Sequence, residues 1–529
     1  HQLRTGKYRD VLPTADGISV VPRDDCTWQR IPLICVPFPG QTIWAREALA
    51  GVQNGAANNL SHSASCSIRL KRAADSMTGL YQEVDEMATG EPMEEDDSAS
   101  KRLRGQCEPR SELCSLPNVG ETSGASAWNR APTGSCLVKV YDTEELGEGQ
   151  GAKVNELVEV FGVLEQGGET DVVGDHPTAM QLMVAQERAL QPPPSAQPRL
   201  HCLLLRSLPP TYHQLLPHPN TREEALALEA SRSLLLAVRP AVISTLASAL
   251  GGDALAAELV LLSSISRVVT RHGEAPLGKL SLNISNCPPP ASGASCSPVL
   301  SSLHGVLQEL LPCCTTLPLD VASLNSSKMV PCKDYESNCL VPGSLQLPQG
   351  AVLILDETVL APGQLQNTGV KNVQALADLL QRQKVAFDFT YFSVDFVADV
   401  SVLSLSSSKS MLPVACQLPL RVEPQAQGLT PQMHQADFLH AARMYLGFAV
   451  RMQQLSLPDG YEKSLQEDFV QSRAANSEIT ADDFSRWLTC MRLHAASMLA
   501  TEISEDHYKY AKQLDEARGD RLRARQVQV

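Results

Sequence analysis

Hydrophobic and polar positions change their period several times along the chain, and each change marks a different kind of element. In the first half, "IPLICVPFPG" (31–40), "CLVKVYD" (136–142), "KVNELVEVFGVL" (153–164) and "RLHCLLLRSL" (199–208) are apolar runs or period-two alternations, the pattern of short strands. Residues 47–133 lose that alternation and are rich in Ser, Gly, Ala and Asn. They hold too few apolar side chains to bury a core, so a disordered insert is expected there. After a Pro-rich link at 209–219 the spacing becomes three and four. Thr221 and Glu224 have capping-box spacing, and Asp253 is placed to cap "ALAAELVLLSSISRVV" (254–269), a core-forming helix.

From Leu280 strands and helices alternate. "KLSLNIS" (279–285) reads as a strand, "CPPPASGASC" (287–296) as a loop, and "SPVLSSLHGVLQELL" (297–311) as a helix with Ser297 as cap and Pro298 in its first turn. "LPLDVAS" (317–323), the strand "LILDE" (353–357), a helix at 372–383 and "DFVADVSVLSLSSS" (395–408) follow, and beyond Pro431 the pattern is helical. Such alternation predicts a parallel sheet covered on both faces. The fold class expected is therefore multidomain α/β. An OB-like β-barrel (1–46 and 134–215) is interrupted by the insert (47–133). A helical linker region (216–275), a parallel α/β core (276–425) and a helical C-terminal domain (426–529) complete it.

At 529 residues the chain has room for several domains. Its first residue is His1 rather than Met, so it reads as a fragment in which an N-terminal portion is expected to be missing. The run 233–252 is expected to fall short of a membrane span because Arg239 and Pro240 interrupt it. A formal charge of −15 argues against an unspecific grip on nucleic acid and favours a protein partner. Fifteen Cys are scattered without a CxxC pair, which fits reduced thiols better than a disulfide framework or a zinc ribbon. Within the insert, "EVDEMATGEPMEEDD" (83–97) carries eight acidic residues and is flanked by "RLKR" (69–72) and "KRLR" (101–104). Arg69, Lys71, Arg72, Lys101, Arg102 and Arg104 are candidates for a nuclear-import signal, set against the plainer reading of solvated charge.

The arrangement closest to chemistry is "AVLILDETVL" (351–360), a buried strand delivering Asp356 and Glu357 in the manner of a Walker B element. Such a pair needs a phosphate cradle: a Gly-rich loop after the first strand, with a Lys followed by Ser or Thr. Gly273, Gly278 and Lys279 fit GxxxxGK, but Leu280 stands where the hydroxyl belongs and the match precedes the strand. The loop in the right place, "SNCPPPASGASCS" (285–297), has no Lys or Arg, and its three prolines remove three backbone donors. Two carboxylates alone hold Mg²⁺ weakly. No catalytic residue, metal site or cofactor is therefore expected. His201, His304, His434 and His494 are isolated, and Cys313 and Cys314 read as packing residues.

"LVPGSLQLPQGAVLILDETVL" (340–360) resembles the Walker B region of the minichromosome maintenance (MCM) helicase subunits. "NVQALADLLQRQKVAFDF" (372–389) is similar to their next helix and strand, and "LSLSSSKSMLP" (403–413) to the end of their sensor-1 strand. Residues 479–518 look like their helical AAA+ lid. The chain departs from them in the missing Walker A cradle, in Ser at 406–408 for the sensor-1 Asn, in the lack of a Ser-Arg-Phe finger, and in Asp482 near the sensor-2 Arg position. With "GKYRDV" (6–11), "LVKVYD" (137–142), "LGKLSLNIS" (277–285), "KDYESN" (333–338) and "LDETVLAPGQL" (355–365), the chain is identified as a member of the MCM-binding protein family. That resemblance implies a degenerate AAA+-like core and a nuclear, non-enzymatic partner of MCM helicase subunits. It also implies roles in DNA replication, through complex assembly and unloading, and in sister-chromatid cohesion. Asp356 and Glu357 would then be vestigial. Two other readings are a divergent AAA+ ATPase using the Asp356–Glu357 pair and a single-strand nucleic-acid binder acting through the OB-like strands.

Overall fold

The structure, a computed structural model, describes residues 2–3, 8–11, 27–36, 39–54, 135–141, 155–164, 198–208, 213, 215–216, 231–291, 294–335, 339–422, 436–453, 455–458 and 460–528. The Thr221–Glu224 capping box, His434 and the candidate import residues Arg69, Lys71, Arg72, Lys101, Arg102 and Arg104 lie outside them.

The chain is mixed α/β. Strands β1 (Gln2–Leu3), β2 (Tyr8–Val11), β3 (Thr27–Cys35), β4 (Cys136–Tyr141), β5 (Val158–Leu164) and β6 (Arg199–Ser207) form a six-stranded sheet in the order β1-β3-β4-β6-β5, with β2 also on β3. Its pairs are antiparallel apart from β4 with β6. Helix α1 (Ile43–Asn54) follows β3 and runs into the stretch expected to lack structure. The reason lies in distant partners: Trp44 Nε1 donates to the Gln308 carbonyl (3.1 Å), Thr42 Oγ1 donates to that of Leu311 (3.0 Å), and the Arg443 guanidinium covers the Trp44 ring at 4.4 Å.

Helices α2 (Arg232–Leu236), α3 (Arg239–Ala249) and α4 (Ala254–Ile265) come next, and Asp253 does cap α4, accepting from Ala256 N at 3.0 Å. The α4 helix is shorter than its sequence pattern because Arg267 turns inward, its guanidinium capping the carbonyls of Ser264 and Ser266. One expectation is corrected. The segment Arg232–Ala249 is long and apolar enough, by length and composition, to cross a membrane. Here one face of it packs into the core through Leu235, Val242 and Leu246, and Arg239 is paired with Glu258.

The hairpin β7 (Thr270–His272)–β8 (Ala275–Leu277) precedes β9 (Leu282–Ser285). After α5 (Pro298–Leu310) come β10 (Cys314–Pro318), α6 (Val321–Ser326), β11 (Cys332–Asp334), β12 (Cys339–Val341) and β13 (Val352–Asp356). Next are α7 (Asn367–Arg382), β14 (Lys384–Asp388), β15 (Ser393–Val397), β16 (Ser401–Leu405) and β17 (Cys416–Pro419). The run 395–408, which reads as one segment, is thus two strands of different sheets. Helices α8 (Ala436–Arg451), α9 (Tyr461–Ala475), α10 (Ala481–Ser497) and α11 (Glu505–Gln528) close the chain.

Five strands form a wholly parallel sheet ordered β10-β13-β16-β9-β17. Every residue of β9, β13 and β16 is buried, as two covered faces require. Alternation sends Val352 and Ile354 into one core with α3, α4, α5 and the C-terminal helices, and Leu353 and Leu355 into a second core with α7 and Phe387 of β14.

Burial makes part of this core acid-sensitive. His213 and His494 are held at about 3, far below the usual 6.5, first by burial and then by neighbouring charge: Arg451 and Arg443 for His213, Arg239 and His507 for His494. As pH falls through 6.5 the unfolded chain takes up these protons and the folded chain does not. Stability is therefore full above about 6.5 and declines toward 3. The thermal midpoint should drop between pH 7.5 and 5, and His494→Phe, which can keep the stacking on Tyr510 (3.9 Å), should flatten that slope.

Candidate functional site at the carboxyl edge of the parallel sheet

In an open parallel sheet, ligands bind beyond the carboxyl ends of the strands where neighbouring connections leave in opposite directions. Here that point falls between β9 and β16, since β9 leads through α5 to edge strand β10 whereas β16 leads past β9 to β17. The structure brings Asp356 and Glu357 to the same edge, next to this crevice, at the end of β13.

Glu357 is 6% exposed and wholly occupied. Its Oε1 accepts from the Ser404 and Ser410 hydroxyls and its Oε2 from Met411 N at 2.9 Å. Its backbone N–H donates to Leu405 O (2.8 Å), carrying the β13–β16 ladder one step further. A carboxylate so held staples the 404–411 loop. Asp356 folds onto its own turn, its Oδ1 accepting from Thr358 N (3.0 Å) and Thr358 Oγ1 (2.6 Å). Its Oδ2 is buried without a hydrogen-bond partner among the described residues.

The other side of the crevice is likewise closed on itself. Asn283 Nδ2 donates to Ser406 Oγ (3.0 Å), Ser406 Oγ donates to Ser408 O (2.7 Å), and Cys287 N donates to Ser406 O (3.0 Å). Ser406 thus knits the ends of β9 and β16 together. At the amino end of α5, where a phosphate cradle would sit, Ser297 Oγ accepts from Leu300 N (3.1 Å) and Pro298 opens the helix. Burial, with a further contribution from Asp356, pushes the Cys287 thiol up to about 12, which disfavours its thiolate form. Cys313, also buried, is pushed up to about 12, and Cys314 is raised as well.

One residue here escaped the sequence. Arg525, near the end of α11, donates through Nη1 to Ser285 Oγ (2.8 Å) and through Nη2 to Ser407 O (3.5 Å). Nothing in its local pattern marks it, because only the packing of α11 against β17 brings it to the crevice.

The GxxxxGK near-match resolves into structure at the opposite edge. Gly273 (φ +59°) turns the β7–β8 hairpin, and a Cβ on Gly278 (φ +100°) would stand 2.6 Å from the Arg267 carbonyl. Lys279 Nζ pairs with Asp399 Oδ1 (2.7 Å) and donates to Ser266 O (3.0 Å) and Ser401 Oγ (2.9 Å), ahead of and at the first residue of β16. Burial draws this lysine down to about 8, Asp399 opposing the shift. Neither it nor the 285–297 loop places a Lys or Arg at the amino end of α5, so a Walker A cradle is not formed there.

Fold and site define a parallel α/β-sheet protein whose carboxyl-edge crevice is filled by its own hydrogen bonds. Residues 1–522 match the family described as mini-chromosome maintenance replisome factor, and the chain belongs to that family. It is 32% identical to the mini-chromosome maintenance complex-binding protein of Salmo salar, over 98% of this chain and 83% of that one. The proteins of that name from Homo sapiens (32%, 99% and 84%) and Arabidopsis thaliana (30%, 98% and 83%) are similar to it on the same terms.

If the acidic pair is structural, its members should differ in a particular way. Glu357→Ala strands two hydroxyls and one backbone N–H and should cost about 2 kcal/mol or more. Asp356→Asn keeps the Oδ1 acceptor, removes a buried charge and should stay within about 1 kcal/mol of the parent. Urea unfolding checks the order, and the reverse order would argue for a role other than stapling.

Proposed function

We propose that this protein is a non-catalytic binding partner, in effect a chaperone, of mini-chromosome maintenance helicase subunits, acting in the nucleus in complex assembly and unloading during DNA replication and in sister-chromatid cohesion. The observation that carries the reading is family membership along the chain, in a family whose similar members are named for binding that complex. The geometry supports it from the other side, because Glu357 is spent on three internal donors and the loop before α5 lacks a cation.

The finer reading of the fold goes with it. Numbered by their order in the chain, the parallel strands lie 2-3-4-1-5, with the acidic pair closing the third, which supports an AAA+-like core with α8–α11 as its lid. The β1–β6 sheet with its long excursion between β3 and β4 supports the OB-like reading. An AAA+-shaped body can offer ring-subunit surfaces to true subunits without a working ATP site.

Affinity capture of the full chain followed by mass spectrometry should recover helicase subunits, and their absence would overturn the proposal. Mg-ATP should bind neither the isolated protein nor its complex measurably through this chain, and turnover lost on Glu357→Gln would replace it with the ATPase reading. Replacing Lys71 and Arg72 by Ala should leave more protein in the cytoplasm by fluorescence imaging. Unchanged nuclear accumulation would remove the import role from that cluster.

A further inference from the structure

The β14–β15 hairpin springs from the amino edge of the parallel sheet, β15 leading through Ala398–Val400 into the start of β16, away from the crevice. Its root is fixed. Val385 and Phe387 are buried, Phe387 packs on Phe396 at 4.2 Å between ring centroids, and β14 pairs with both β11 and β15. Its turn, Phe389-Thr390-Tyr391-Phe392, is built in the opposite sense. Tyr391 is 86% exposed and Phe392 59%, with Val394 and Val397 exposed beside them. In a chain with only 5% aromatic residues this is a conspicuous concentration of rings in water.

The turn is also ordered against its own preference. Thr390 is β-branched yet sits at φ +68°, a strained conformation that persists only where the surroundings impose it. They do so here. Asp388 Oδ1 accepts from Thr390 N (2.8 Å), Phe389 N donates to Phe392 O (2.9 Å), and the Phe389 and Phe392 rings stack at 4.9 Å. Tyr335, after β11, donates its hydroxyl to Phe389 O (2.7 Å) and meets Tyr391 edge-on at 6.0 Å. The exposed rings are therefore presented in one shape before any partner arrives, which lowers the entropic cost of docking.

Charge decides what kind of partner suits them. Residues 389–394 carry no charged side chain. Basic groups at the root are engaged internally: Lys328 with Asp388, Arg382 with Glu274, Asp378 and Asp395, Lys384 with Glu274, and Arg271 with the carbonyls of Arg382, Gln383 and Ala398. Lys371 also acts on Asp388. A surface that stacks bases needs cations to track the phosphates, and the protein as a whole carries −15. Uncharged, preformed aromatic anchors instead match the buried centre of a protein interface, where Tyr and other aromatic residues carry most of the binding energy.

We propose that the Phe389–Phe392 turn is a docking knob that inserts Tyr391 and Phe392 into an apolar pocket on a mini-chromosome maintenance helicase subunit. The inference rests on the functional reading above and adds the surface that makes the contact.

The test uses the full chain and purified helicase subunits, singly and as subcomplexes, with affinity read by biolayer interferometry and folding by thermal midpoint. Replacing Tyr391 and Phe392 together by Ala should weaken binding about tenfold or more with the midpoint unchanged. Should that double variant lose stability, Tyr391→Lys at its open position decides, and the same loss is expected. If the parent binds and Tyr391→Lys binds equally well, the docking knob is overturned while the functional reading stands. If the parent binds no subunit, the functional reading itself fails. Tyr391-dependent binding of single-stranded oligonucleotide at near-physiological salt, with subunit binding intact, would assign the knob to nucleic acid and overturn the proposal.

Discussion

Everything described of the α/β core is hung on the two-sided burial of β13. Its backbone is paired on both sides in parallel register, with β10 and with β16, and its side chains alternate between two separate cores. Val352–Leu355 of this strand are all apolar and buried, and the first carboxylates fall at its end. They fall, as they must, at the edge where such sheets meet their ligands. The acidic pair is where it is because the strand is central, whatever chemistry the pair performs.

Both edges of the sheet carry networks of polar side chains. At the amino edge Arg267 Nη2 reaches Gly350 O (3.1 Å) and Asp399 Oδ1 accepts from Val268 N (3.2 Å), a buried cluster completed by Lys279. At the carboxyl edge Glu357, Asn283, Ser404 and Ser406 are linked by hydrogen bonds, and Arg525 clips β9 to the loop after β16. Farther out, Asp515 ties α11 to α10 through Arg486 (2.7 Å); although burial pushes this carboxyl up, the hydrogen bonds of Arg486 and Arg518 hold it down to about 2. Hydrogen bonds made internally at an edge cannot also be made to a nucleotide. Among the described residues Tyr391, in the aromatic turn, is the most exposed large hydrophobic side chain.

Much of this was legible in one sequence. The period-two and helical alternations located β4–β6, β9, α4, α5, β13 and α7, the caps at Asp253 and Ser297 were correct, and the missing cradle cation was visible directly. Less legible were elements defined by distant partners. Helix α1 is anchored through Trp44 to α5 and α8, and β11, β12 and β17 are too short to show a period. The β15–β16 break is invisible because both strands mix polar with apolar residues and only Ala398–Val400 separates them. The aromatic turn looks like part of a strand until its exposure is known.

Sequence by itself determined what each residue can offer: a buried strand ending in Asp356 and Glu357, a proline-rich loop without a base, and an acidic chain with few aromatic residues. It also carried the family, because cadence along a strand–loop–helix unit is a local property. Only the tertiary structure decided how those groups are used, since hydrogen-bond partners such as Glu357 with Ser410, or Arg525 with Ser285 240 residues away, are chosen by packing. Local pattern fixes which side chains share a face. Which of them are satisfied and which are left in water depends on the elements folded against them.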